Sequence, residues 1–255
     1  KSDDYPVGAI VTGLTGWQDY TVTSASAPLM TVPAGIPVEP QTLLGTLGMT
    51  GCTAYFGMLE IGDPQEGETV VVSAAAGAVG SVAGQLAKQR GARVVGIAGG
   101  PEKCAWIKDE LGFDEAVDYK ADDWRAQLKA ATPNGIDVDF ENVGGEIMEA
   151  VFSRLNMNAR VALCGLISGY NDTEPAPGPR TFGNLLVQRV TLKGFIILDY
   201  YARFPEALEA LGAMVAAGTL RTEETVVEGF DQLPAALNML FAGENTGKLV
   251  VHIEE

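Results

Sequence analysis

The sequence predicts an α/β fold: a doubly wound parallel sheet with helices on both faces. Three observations predict it. From residue 68 to residue 197, short β-branched runs alternate with helical stretches, the rhythm of βαβ units. The first of these runs, Thr69-Val70-Val71-Val72, is apolar almost throughout, as strands buried on both faces are. It leads directly into a glycine-rich turn that opens a helix.

Composition bounds what such a fold can do. The chain has 255 residues, enough for one large domain or two modest ones at about 100–200 residues each. A hydrophobic content of 47%, with no low-complexity tract, excludes disorder, collagen and coiled coil. With 17 Lys and Arg against 33 Asp and Glu, the formal charge is −16, which argues against a nucleic-acid partner. The same charge repels an anionic cofactor at long range, so such a cofactor needs local cations and aimed backbone donors. Cys52, Cys104 and Cys164 are odd in number and far apart, which fits a reducing compartment and offers no zinc cluster. No apolar run approaches the roughly 20 residues of a membrane span. The start, Lys1-Ser2-Asp3-Asp4-Tyr5, lacks the order of a signal peptide. The expected location is the cytoplasm.

Taken in order, residues 9–11, 20–23 and 29–33 read as short strands that cannot close a core alone. Residues 48–60 suit a helix with small residues on a packed face. After the strand at 68–73 comes a helix at 79–90, with Gly91 as its stop. Strand 93–98 precedes a helix at 101–111 that has Pro101 in its first turn. Strands at 115–118, 136–140 and 160–164 alternate with helices at 122–131 and 146–155, and a sixth strand falls at 192–197. A helix at 205–217 follows; then strands at 225–228 and 248–252 flank a short helix at 232–241. The two β-type ends would together form one discontinuous domain around the α/β centre.

Aligned on its last glycine, Ala75-Ala76-Gly77-Ala78-Val79-Gly80 matches G-x-G-x-x-G with Ala in the first place. Gly77 lets the backbone approach a pyrophosphate, Gly80 permits close helix–strand packing, and the helix start offers free N–H groups to an anion. The strand before it and the helix after it are the context that gives the pattern weight. The alternative is a tight turn without a ligand. An NAD site places Asp or Glu about 20 residues further on. Here that place reads Ala98-Gly99-Gly100-Pro101-Glu102-Lys103, with glycines where the carboxylate would sit. A 2′-phosphate therefore meets no repulsion, and Lys103, Tyr119 or Lys120 can reach it. NADP(H) is favoured over NAD.

Other chemistries lack their residues. The single histidine, His252, reads as a polar group ending a terminal strand. No cluster has catalytic-zinc spacing, and neither a nucleophile elbow nor a phosphate loop ending in Gly-Lys-Ser/Thr is present. Hydride chemistry remains, in which the protein binds and orients the cofactor. Glu141-Asn142-Val143-Gly144-Gly145 and Cys164-Gly165-Leu166-Ile167-Ser168-Gly169-Tyr170 follow strands and so lie where open α/β sheets hold ligands. A phenol keeps its proton near neutral pH and can bond an oxyanion as charge builds. Tyr170 is the candidate for that role, the alternative being a loop tyrosine packed over glycine.

The stretches Gly48-Met49-Thr50-Gly51-Cys52-Thr53-Ala54-Tyr55-Phe56-Gly57, Ala74–Ser81, Asn142-Val143-Gly144-Gly145, Gly194-Phe195-Ile196 and Gly243–Lys248 resemble the zinc-independent medium-chain dehydrogenase/reductases. Within them the chain is most similar to the branch of prostaglandin (leukotriene B4 12-hydroxydehydrogenase), plant alkenal and bacterial curcumin reductases. The resemblance implies a Rossmann domain over 48–216 and the remainder of a GroES-like β domain over 1–47 and 217–255. It implies NADPH-dependent reduction of the C=C bond of α,β-unsaturated ketones or aldehydes, with hydride delivered to the β-carbon. Tyr170 and the nicotinamide ribose hydroxyl would steady the enolate, and the α-carbon would take its proton from solvent. By the same resemblance Gly77, Ala78, Val79 and Gly80 line the pyrophosphate, and Lys103 and Tyr119 the adenosine phosphate. Met49, Thr53, Asn142, the run Cys164, Gly165, Leu166, Ile167, Ser168 and Tyr170, then Phe195, Ile196, Ile197 and Asn245, hold the rest. No metal is implied; a homodimer is. Compared with these proteins the chain enters the GroES-like domain midway, leaving one pocket wall unnamed. A quinone reductase and a non-catalytic NADPH-binding protein stand as alternatives.

Overall fold

The computed structural model describes residues 5–24, 29–32, 38–174 and 177–253. β1 (Val11–Thr12) and β2 (Met30–Thr31) form a two-residue antiparallel ladder. The strand expected at 20–23 does not form: Tyr20 and Val22 are fully exposed, so pairing there would bury no apolar surface. The signal-peptide reading of residues 1–4 and the Pro33 end of the third expected strand lie outside the described residues.

α1 (Met49–Phe56) is shorter than the expected helix, because its hydrogen bonding widens to a π turn over Gly57–Gly62. Small residues make its packing feasible. A Cβ at Gly51 would stand 1.8 Å from the Thr46 carbonyl oxygen, and one at Gly57 2.5 Å from the Phe195 ring.

The βαβ run follows. β3 (Thr69–Val72) leads to α2 (Gly80–Gln89), β4 (Arg93–Ala98) to α3 (Pro101–Asp109), and β5 (Glu115–Asp118) to α4 (Trp124–Ala131). β6 (Ile136–Glu141) leads to α5 (Gly145–Phe152) and β7 (Leu155–Leu163), then α6 (Gly183–Val187) and β8 (Thr191–Gly194). These six strands make one parallel sheet in the order β5-β4-β3-β6-β7-β8. The chain runs outward from β3 to β5, then returns to the other side of β3. Strand alternation divides the core: Val70, Val72, Val138 and Phe140 pack on the α2 side, and Val71, Val95, Ile97 and Val161 on the other. Apolar residues on both faces are what made the β3 run unbroken.

Three boundaries differ from expectation. β7 begins at Leu155, five residues before 160, because Leu155 pairs with Ile136 ahead of a register shift. The expected 192–197 strand ends at Gly194, and Ile197–Arg203 turns into a 3₁₀ segment. α6 had no counterpart in the sequence reading; none of its five residues is buried, so it leaves no apolar stripe.

α7 (Phe204–Ala216) precedes β9 (Glu224–Glu228), α8 (Leu233–Ala242) and β10 (Lys248–His252). β9 and β10 are parallel, joined by the α8 crossover. Just before β10, Gly247 bridges to Gly77 and its N–H donates to the Ala76 carbonyl at 2.8 Å. The second sheet is thereby tied to the first glycine turn.

Candidate functional site

A cavity of about 1210 Å³ lies outside the carboxyl ends of β3 and β6, where the strand order reverses. Its floor is the turn after β3. Ala74 takes a left-handed φ of 48°, and the Gly77 N–H donates back to its carbonyl. Gly80 is packed so closely that a Cβ would meet that carbonyl oxygen at 2.4 Å. Gly77 is different: the one atom within 4 Å of an added Cβ is the Ala74 oxygen, at 3.2 Å. The rest of that space belongs to the cavity, a cradle that a side chain would partly fill. Such a cradle at a helix start fits a pyrophosphate.

One corner of the cavity is cationic. Lys103 Nζ donates to the Gly243 carbonyl at 2.8 Å and to that of Asn245. Burial, and then the charge of Lys120, hold its ammonium below the usual lysine range. An added Cβ on Gly99 would touch the Tyr119 hydroxyl at 2.9 Å and Lys120 Cε at 3.0 Å, so both side chains lie over that glycine. Asp118 aligns them by accepting from the N–H groups of Gly100 and Lys120. Two lysines and a phenol around Gly99, with the Asp118 carboxylate engaged by the Gly100 and Lys120 N–H groups, fit a 2′-phosphate.

The opposite wall is held by a network that sequence reading did not find. Glu141 Oε1 accepts from Ser73 Oγ at 2.8 Å and from the N–H groups of Val143 and Gly144 at 2.5 and 2.9 Å. The Asn142 side chain donates to the Ser73 carbonyl at 2.7 Å. The members stand 68 or 69 residues apart, and the one hint was a serine closing an otherwise apolar strand.

Met49, Gly77, Ala78, Val79, Gly80, Lys103, Tyr119, Asn142, Cys164, Gly165, Ile167, Ser168, Tyr170 and Asn245 all line this cavity. The Tyr170 hydroxyl lies over Gly165, 3.4 Å from the Leu166 N–H that donates to it. The Asn245 amide is turned inward onto the Gly247 carbonyl. Five of the expected residues are placed elsewhere. The Thr53 hydroxyl bonds the Met49 carbonyl within α1, Phe195 packs edge-on to Phe140, and Leu166 covers Gly144. Ile196 is exposed, and Ile197 packs beside Phe56 and Phe204. Leu198 and Tyr201, from the 3₁₀ segment, line the cavity instead. His252 bonds Glu228 across the β9–β10 pair, at 2.7 Å.

The cysteines are free thiols. Burial pushes Cys52 and Cys164 up to about 12 and Cys104 to about 11. Among the described residues no three His, Cys, Asp or Glu side chains come together as a metal site, and no helix is long and apolar enough to cross a membrane.

A parallel switch-point sheet with a glycine cradle and a cationic corner defines a dinucleotide-dependent oxidoreductase. The chain belongs to the medium-chain dehydrogenase/reductase family, in its zinc-independent branch: residues 78–213 match the family described as zinc-binding dehydrogenase. It is 44% identical to the NADPH-dependent curcumin reductase of Escherichia coli, over 98% of this chain and 73% of that one. It is 42% identical to prostaglandin reductase 1 of Rattus norvegicus, over 98% and 77%. The crystal structure of CurA from Vibrio vulnificus in complex with NADPH superposes with a TM-score of 0.92, at 45% identity, over 98% and 75%.

Proposed function

We propose that this chain is an NADPH-dependent reductase of the C=C bond of α,β-unsaturated ketones and aldehydes. The observation that carries the reading is the junction of the Gly77 cradle with Lys103 and Tyr119 in one cavity, with the charge of Lys120 beside them. When bound, NADPH supplies the hydride that reaches the β-carbon. The residues do the rest. Ala78, Val79 and Gly80 present backbone N–H groups to the pyrophosphate over Gly77, whose own N–H is held by the Ala74 carbonyl, and Lys103, with Tyr119 beside it, takes the adenosine phosphate. Asn142 and Cys164 to Tyr170 flank the nicotinamide half, with Met49 across from them, and Asn245 stands beside Lys103, whose ammonium donates to its carbonyl. Tyr170 donates its phenolic proton as a hydrogen bond to the substrate oxygen while that oxygen gains charge. Its side chain is 62% exposed, so water reaches the α-carbon to protonate it.

The assembly reading is a homodimer in the cytoplasm. It is supported by the outer edge of β8, every residue of which is exposed, beside exposed Met157, Leu186 and Val187. Sedimentation equilibrium tests it, and a monomer would refute it. Residues 1–47 with 217–255 form the substrate-side unit of this reading, and 48–216 the cofactor-binding one.

The deciding experiment follows NADPH absorbance with 2-nonenal, a diarylpropenone and a benzoquinone as substrates. Consumption with the first two supports enone reduction. Consumption with the quinone alone makes it a quinone reductase, and none with any, despite tight NADPH binding, a non-catalytic binder.

A further inference from the structure

Two carboxyl groups in β6 have no function in the reading above. Asp139 and Glu141 are both fully buried. They stand two residues apart on one strand and therefore on one face. Both oxygens of Asp139, and Oε2 of Glu141, have no hydrogen-bond partner. Asp139 is flanked in register by Val71 and Val161, and among the described residues no cation pairs with either acid. Asp137, on the same face, is satisfied separately by the Thr69 N–H and the Asn156 side chain.

Glu141 holds both cleft turns. Its side chain gathers Ser73, Val143 and Gly144, and its carbonyl accepts from the N–H groups of Cys164 and Gly165 at 2.9 and 3.1 Å. One oxygen accepting three donors is the work of a carboxylate. Asp139 has no donor aimed at it. Two buried anions without a cation would cost several kcal/mol each by desolvation, roughly. Two neutral acids would forfeit the charge-assisted bonds at the turn.

We propose that Asp139 and Glu141 together hold one proton at neutral pH, Asp139 as the acid and Glu141 as the anion, and that this pair positions the Asn142–Gly144 turn. The Asp139 O–H donates toward Oε2 of Glu141, the free acceptor on its face. Both are positioning residues; neither lines the cavity. Burial, then the neighbouring carboxylate, pushes Asp139 well above the usual carboxylate range, and burial raises Glu141 in spite of its donors.

The consequence for the cofactor rests on the proposed NADPH reading; the proton count does not, and the test separates them. Infrared spectra of the wild-type chain, with and without 13C-labelled aspartate, should contain at neutral pH one aspartic-acid C=O band from a buried group. That band shifts in D2O and disappears in Asp139→Asn. Its absence from the wild-type chain overturns the proposal, and that measurement needs no variant to fold. Asp139→Asn, which keeps a donor toward Glu141, should leave the KM for NADPH within about twofold. Glu141→Gln should raise it about tenfold, the equivalent of one charge-assisted hydrogen bond, with kcat less affected. Equal effects from the two variants overturn the division of roles. NADPH failing to bind the wild-type chain, with the band present, would sink the cofactor reading alone.

Discussion

At Lys103 a single ammonium holds the carbonyls of Gly243 and Asn245 and stands beside Lys120, held below its ordinary range by burial and by that neighbour. An arriving phosphate supplies a negative partner for the two ammonium groups, since the Asp118 carboxylate is engaged by backbone N–H groups. Lys103→Ala is therefore expected to weaken NADPH by about tenfold or more and NADH by less than about twofold. Competitive binding of the two cofactors measures it, and equal losses would remove the phosphate assignment. Tyr170 sits across the cavity with its hydroxyl over Gly165. Tyr170→Phe should lower kcat by about 100- to 1000-fold, the scale of one lost oxyanion donor, and leave the Kd for NADPH unchanged. An unchanged rate would place enolate stabilisation elsewhere. That Lys103 and Tyr170 line the cavity was legible because each follows the carboxyl end of a strand. Ser73 and Glu141 were not, since their partnership exists only once β3 and β6 lie side by side.

Among the elements, the turn between β3 and α2 sets two glycines of one motif against different demands. An Ala at position 80 drives a Cβ into the Ala74 carbonyl, and overpacking of this kind costs about 1–3 kcal/mol. An Ala at position 77 meets only one oxygen, at 3.2 Å, and takes up space in the cavity. Gly80→Ala should lower Tm; Gly77→Ala should keep Tm and raise the KM for NADPH. Thermal melts beside cofactor titrations separate the two, and the same profile for both would merge their roles. The alternation of buried strands and helices made β3 to β7 readable, since apolar runs between helical stretches have one economical arrangement. β8 was found but drawn three residues too long at its end, and α6 escaped because none of its five residues is buried, so burial left no pattern there. The early start of β7 escaped for a related reason: Met157 and Asn158 are exposed, Asn156 is a polar residue bonded to Asp137, and the three carry no strand signal.

For the molecule as a whole, Arg160 links distant parts of the chain. It donates to the Gly62 and Asp63 carbonyls and takes Glu68 in a two-bond grip, joining β7 to the π turn and the start of β3. Its hydrogen bonds hold the Glu68 carboxyl below its ordinary 4.5. The stabilisation is complete above that value and is lost as pH falls through the lower, folded one. Glu68→Gln should cost about 1–2 kcal/mol at neutral pH and show a shallower loss of stability on acidification, read from denaturant melts across the acid range. Parallel curves for wild type and variant would assign the acid sensitivity to other carboxylates.

The thiol burial described above has a chemical consequence under the proposed reduction of unsaturated aldehydes. Such compounds alkylate thiolates, and the thiolate is the reacting form. With Cys164 at about 12 and Cys52 and Cys104 no more acidic than about 11, the protein offers an electrophilic substrate almost no thiolate. Peptide mass spectra after hours with excess 2-nonenal should show all three cysteines unmodified. An adduct on Cys164 would mean that the cleft poisons itself as it works.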